Sequence, residues 1–200
     1  MSWIKRIPHS EATGRLRAIY GRARGPGGEV DNVLAVHSLR PHTLQGHLAL
    51  YKSVLHHTGN RLPVWLLETV GVHVSRLNGC QYCVDHHTAG LGRLLGDEQA
   101  AAIAAALESP TQTDVFGARE QAILAYVERL TRQPPAATRS DVEALRAAGL
   151  DDGEILEVNQ VASYFAYVNR VVLGLGVTTE GDVLGLSPAT GDALDDWQHH

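Results

Sequence analysis

Along most of this chain the apolar residues return every third or fourth position, and no region shows several runs of strict alternation. That periodicity belongs to helices with one buried face, so the expected fold is all-helical. Prolines at positions 8, 26, 41, 63, 110, 134, 135 and 188 separate long stretches free of helix breakers. Residues 20–30, with Gly21, Gly25, Pro26, Gly27 and Gly28, read as a loop. Helices are expected over 31–39 and 41–57, the second carrying Leu44, Leu48, Leu50, Tyr51 and Leu55. Residues 62–77 form the next, with Pro63 in its first turn. It is apolar nearly all round, which predicts burial.

Asn78-Gly79 supplies a stop and a turn, and a new helix is expected over 80–95. Asp97 is expected to cap a helix that ends near Ser109-Pro110, and Thr113-Asp114 to open one through Arg132. Pro134-Pro135 stops that one. Capping-box patterns at Ser140-Asp141-Val142-Glu143 and Asp151-Asp152-Gly153-Glu154 open two more. The first is short and ends at Gly149. The second is long, with Ile155, Val158, Val161, Ala162, Phe165, Val168 and Val172 on one face. The glycine-rich, acidic stretch after Gly176 either packs on the surface or joins a neighbouring subunit, and His199-His200 is too short to read as a metal site.

Composition narrows the function classes. Two hundred residues, 44% apolar and 20% charged, suit one soluble globular domain. The net charge of −5 and the lack of a basic stripe argue against a nucleic-acid partner. The first dozen residues hold Lys5, Arg6 and Glu11 and no signal-peptide core, and no segment approaches the roughly 18–20 apolar residues of a membrane span. The expected location is the cytoplasm.

Only two cysteines occur, Cys80 and Cys83, three positions apart. Closing so short a loop constrains the unfolded chain little, and a cytoplasm disfavours structural disulfides. A redox dithiol explains the pair better than a cross-link; two small core residues are the plainer alternative. With about 100° per residue from Cys80, Cys83 falls at about −60°, His87 at about −20° and His86 at about −120°, and Tyr82 points away at about 160°. Cys80, Cys83 and His87 therefore cluster. The first turn of a helix favours a thiolate, and an imidazole one turn on can take or return its proton. A sulfenic acid on Cys83 would condense with a second thiol within reach.

Glu68 is the only carboxylate of the buried 62–77 helix. An ionised carboxylate there is costly unless paired, so it is a candidate for a raised pKa and a proton-handling role; a plain salt bridge to a neighbouring helix is the alternative. Zinc is the chemical rival, with Cys80, Cys83, Glu68 and either His86 or His87 as four ligands, although no second Cys-x-x-Cys exists. His37, His42, His47, His56, His57 and His73 read as packing or surface residues, any one of which can join the site through tertiary contact.

Glu68, eleven intervening residues, Cys80-x-x-Cys83, three more and His87 resemble the motif of alkylhydroperoxidase D, within the carboxymuconolactone decarboxylase family. Leu77-Asn78-x-Cys80-x-Tyr82-Cys83-x-x-x-His87 is similar to its peroxidase-related members, as are Leu145-Arg146-x-x-Gly149-Leu150, Glu154-Ile155 and Asn169-Arg170. The resemblance covers residues 60 to 178. It implies N-terminal helices over 1–60, a core over 61–178 and a tail over 179–200 of one all-α domain, a helical bundle around the cysteine pair, assembled as a trimer or hexamer. It also implies that Cys83 attacks a hydroperoxide, that Cys80 closes the disulfide and meets the reductant, and that Glu68 and His87 form a proton relay. No bound cofactor is implied; the reductant is an external dithiol, either a small thiol or a lipoyl or thioredoxin-type protein. Alkylhydroperoxidase D carries a relay histidine between its cysteines where Tyr82 stands here, which implies a shorter relay. The expected activity is thiol-dependent reduction of hydroperoxides. A dithiol–disulfide oxidoreductase or redox sensor is the alternative, ahead of a zinc protein or a non-redox decarboxylase-like enzyme.

Overall fold

The computed structural model describes residues 2–109 and 115–197. Among them are nine α-helices and no β-strand, so the chain is all-helical. They are α1 (Gly14–Ala23), α2 (Asn32–Ala35), α3 (Pro41–Leu55), α4 (Val64–Leu77), α5 (Gln81–Leu95), α6 (Asp97–Glu108), α7 (Ala118–Arg132), α8 (Arg139–Ala147) and α9 (Asp152–Leu175).

Helix α4 is central, packed by α3, α5, α6, α7 and α9. Its near-continuous apolar sequence is the cause: Leu66, Leu67, Val70, Val72 and Val74 are buried on different sides of it. Each such side chain contributes roughly 1.5–3 kcal/mol through burial. Gly71 permits the closest approach. A Cβ there would lie 2.2 Å from the ring of Phe165, so α4 and α9 meet in contact that only glycine allows.

The corner between α4 and α5 sets the site. Gly79 adopts φ 70°; its N–H reaches Arg76 O, and Cys80 N–H reaches Ser75 O at 2.8 Å. This double closure is a Schellman motif, which ends α4 and turns the chain sharply into α5. Cys80 therefore stands just before α5, with ψ 85°, and not inside it. Asn169 on α9 fastens the corner, donating to Ser75 Oγ and accepting from Asn78 Nδ2.

Several boundaries differ from the expected ones. Gly21 lies inside α1, whose buried Leu16, Ile19, Tyr20 and Ala23 have helical spacing that outweighs one glycine. The α-helix expected over 31–39 shrinks to α2 followed by turns. Pro63 and Gly96 precede their helices, so Asp97 is the first residue of α6 and not its cap. The opening at Thr113-Asp114 lies outside the described residues, as does His199-His200; α7 begins at Ala118. The first capping box is formed by Thr138 and Asp141, two residues earlier than expected. That at Asp151 and Glu154 forms as expected.

The segment after Gly176 packs back on its own chain. Lys52, fully buried, donates through Nζ to Ala189 O and to Asp196 O. Gly191 N–H donates to His56 O, and Trp197 is buried. Gly185 fits against the α5 backbone, where a Cβ would meet Ala89 C at 2.7 Å. This tail forms part of the wall of the cavity described next.

Candidate active site

Cys80 and Cys83 are buried, and their sulfurs lie 3.2 Å apart, close enough to share a proton. The sharing is unequal. A hydrogen bond from Cys83, helped by the Cys83 backbone N–H, Asn169 and the charge of His87, holds the Cys80 thiol below its ordinary value. The same bond, together with burial, pushes Cys83 well above it. Both shifts make Cys80, the sulfur at the N-terminus of α5, the more acidic thiol of the pair.

Glu68 is the second centre. Its Oε2 accepts from His87 Nδ1 at 2.5 Å, and its Oε1 lies 3.5 Å from His56 Nε2. Burial raises the pKa of this carboxyl, but the charges and hydrogen bonds of His87 and His56 outweigh burial and bring it to about 2. The expectation of a raised pKa for Glu68 is thus reversed. Two imidazoles supply the compensation that a buried carboxylate needs. His56 in turn contacts Tyr51 OH through the same Nε2 at 3.1 Å. Tyr51 packs edge-on to both His56 and His87, and Phe165 packs edge-on to His87 at 4.7 Å between centroids.

A cavity of about 60 Å³ joins these groups, several times the roughly 10–15 Å³ that one ordered water needs. Cys83, Glu68 and His87 border it, with Tyr51, Tyr164 and Trp197 as aromatic wall. Cys80 does not. It borders a separate groove of about 230 Å³ on the other side, with Arg76, Gln81 and Glu108.

Of the residues singled out in the sequence, Cys83, Glu68 and His87 meet at one cavity with Cys80 directly behind. His86 lines the same cavity but does not join the Glu68 cluster: its Nε2 is 3.3 Å from Asp182 Oδ2. Tyr82 also points away from the thiols, as the helix phase requires, donating to Asp182 at 2.7 Å and accepting from Val33 N–H. The proposed zinc ligands do not converge, and among the described residues no group of three or more His, Cys, Asp or Glu is placed to hold a metal ion. His56 belongs to the site rather than to packing alone. It follows the end of α3, and only tertiary contact brings it to Glu68, so no local spacing marks it. Asp31, Asp182 and Trp197 also escaped the sequence reading, because the turn before α2 and the tail meet α5 only in the folded chain.

Comparison with known proteins places this architecture. The model of the carboxymuconolactone decarboxylase family matches residues 41–129. A peroxidase-related protein from Silicibacter sp. TM1040 is similar over 90% of this chain and 93% of its own, with TM-score 0.78 and 23% identity. An alkylhydroperoxidase AhpD core protein from Ralstonia eutropha JMP134 is similar over the same shares, with TM-score 0.77 and 22% identity. The debrominase Bmp8 in its apo form covers 90% of this chain and 91% of its own, with TM-score 0.70 and 18% identity. No curated protein matches the chain. The family match spans α3 to most of α7, and the helical fold around it is similar to that of the alkylhydroperoxidase AhpD core protein and the peroxidase-related protein.

Proposed function

We propose that the protein is a thiol-dependent peroxidase in which Cys83 reduces a hydroperoxide and Cys80 resolves the product. The supporting observation is the placement of the two sulfurs: Cys83 borders the cavity that Glu68 and His87 share, and Cys80 lies 3.2 Å behind it. A molecule in the cavity meets Cys83 and not Cys80, although Cys80 is the more acidic thiol. The Cys80 thiolate is therefore the base for Cys83.

As Cys83 passes its proton to Cys80, its sulfur attacks the terminal peroxide oxygen. The S–O bond forms, the O–O bond breaks, and the alkoxide takes a proton from His87 held against Glu68. Cys83 is now a sulfenic acid. The Cys80 sulfur attacks it, hydroxide leaves with the Cys80 proton as water, and a disulfide remains. An external dithiol returns two electrons and two protons, restoring the thiol, the thiolate and the protonated His87. The sum is ROOH plus a dithiol giving ROH, water and a disulfide. Glu68, ionised throughout, keeps His87 oriented for the first transfer.

Thiol titration before and after one equivalent of hydroperoxide, with mass spectrometry of the 80–83 peptide, tests this. Loss of both thiols as one internal disulfide is expected. Cys80→Ser removes both the base and the resolving thiol, so it should form a Cys83 sulfenic acid slowly and stop there, where dimedone traps it, and Cys83→Ser should consume no peroxide. Two intact thiols after peroxide would sink the reading.

A further inference from the structure

Three polar groups on the cavity wall have capacity that the chain leaves unused. His47 is 4% exposed and its Nδ1 is buried with no hydrogen-bond partner. Burial and the stacked His37 hold its pKa at about 3, so its ring is neutral. His86 Nε2 is likewise buried, close to Asp182 but without hydrogen-bond geometry. Both Asp182 oxygens are occupied, since they accept from Asn32 N–H and one accepts from Tyr82 OH. The third group is Asp31. Among the described residues, no hydrogen bond reaches its carboxylate.

Buried polar groups in folded proteins are nearly always satisfied, and each orphan costs about 1–3 kcal/mol. Two such orphans, His47 Nδ1 and His86 Nε2, stand with the half-buried Asp31 carboxylate around one cavity, beside the sulfur that would react, and form a site whose hydrogen bonds a ligand completes. The charge of the wall restricts that ligand. Asp31 and Glu68 are its carboxylates, and among the described residues none that lines it is lysine or arginine. A ligand carboxylate would be desolvated beside Asp31, and the His87 imidazole on the same wall is already engaged by Glu68. A hydroxyl can donate to Asp31 and accept from an imidazole N–H.

We propose that this cavity binds compact, uncharged molecules bearing a hydroxyl group, which Asp31, His47 and His86 hold, and that it rejects their carboxylate counterparts. Resting on the peroxidase reading, this makes the substrate a small hydroxyl-bearing alkyl hydroperoxide rather than an acid hydroperoxide.

The test uses a matched series on the full chain. For turnover, 3-hydroperoxy-3-methylbutan-1-ol, tert-amyl hydroperoxide and 3-hydroperoxy-3-methylbutanoate are compared with one dithiol. For binding, calorimetry compares 3-methylbutane-1,3-diol with 3-hydroxy-3-methylbutanoate, which needs no redox step. The hydroxyl substrate should exceed the alkyl one by about tenfold in kcat/KM, and the acid should fall below both, as one charged hydrogen bond gained or lost implies. Asp31→Asn should narrow the alcohol–acid gap by about tenfold, and His47→Phe should weaken diol binding. Equal kcat/KM for alcohol and acid, or equal binding of diol and hydroxy acid, overturns the proposed site. No turnover of any hydroperoxide, with diol binding that Asp31→Asn weakens, upholds the site and overturns the peroxidase reading instead.

Discussion

Two carboxylates border the same cavity, and their surroundings shift them in opposite directions. Glu68, wholly buried, is brought down to about 2, whereas Asp31, less buried, is raised to about 6. Depth alone would order them the other way. The difference lies in partners: Glu68 is flanked by His87 and His56, while burial acts on Asp31 with only His86 to oppose it and Asp182 and Glu29 to reinforce it. One carboxylate is arranged to stay charged and steer an imidazole. The other is left with free valences toward the cavity.

The sharpest way to break this contrast is Glu68→Gln. It removes the charge that orients His87, and kcat/KM for hydroperoxide should fall by about 10²–10⁴, the range of a lost acid–base function. Steady-state rates at fixed dithiol measure it. The same carboxylate contributes to stability in a definite pH window. Its folded pKa of about 2 lies below the ordinary 4.5, so the contribution is full above 4.5 and disappears as pH falls toward 2. Denaturant melts across that range should show the loss in the natural sequence and not in Glu68→Gln.

His56→Phe removes half of the clamp. About a tenfold loss in kcat/KM is expected, and the acid limb of its pH profile should move up by about one unit as Glu68 regains part of its ordinary basicity. An unmoved limb with lower activity would mean that His56 serves packing alone. Asp31→Asn inverts the sign. The folded pKa of Asp31, about 6, exceeds its ordinary 3.8, so the fold loses stability as pH rises through that interval. The amide should stabilise the protein at pH 7 by about 1–2 kcal/mol and give no gain at pH 4. Smallest is Tyr82→Phe, which leaves Asp182 and Val33 N–H each short of one hydrogen bond and should cost about 1 kcal/mol in the same melts.

What the sequence made legible follows from the range of the forces involved. Helix periodicity is local, so the all-helical fold and the Asp151 capping box could be read directly. The Schellman corner could be anticipated as well, because Asn78-Gly79 specifies it within a few residues. The proximity of Cys80, Cys83 and His87 follows from the phase of one helix. Glu68 could be placed near them, but its charge state could not, since His56 arrives from the end of α3. One glycine at position 21 hid α1, although Leu16, Ile19, Tyr20 and Ala23 marked its face. The tail was illegible for a plain reason. It has no period, and its contacts with Lys52, Tyr82 and Asn32 span 100 residues or more.

Lys52 secures that tail through main-chain oxygens alone. It responds to the path of the chain and is indifferent to the letters at positions 189 and 196. A substitution at position 189 thus leaves its bond to Lys52 in place, whereas a change at position 52 would be felt along the whole segment. Gly185, pressed against the backbone of α5, is the second fixed point. Between these anchors, Leu186 and Ser187 face the cavity and can vary. The fold thereby separates the residues that hold the wall from those that shape it, so a lineage can retune what enters the cavity while the helices that position the sulfurs stay unchanged.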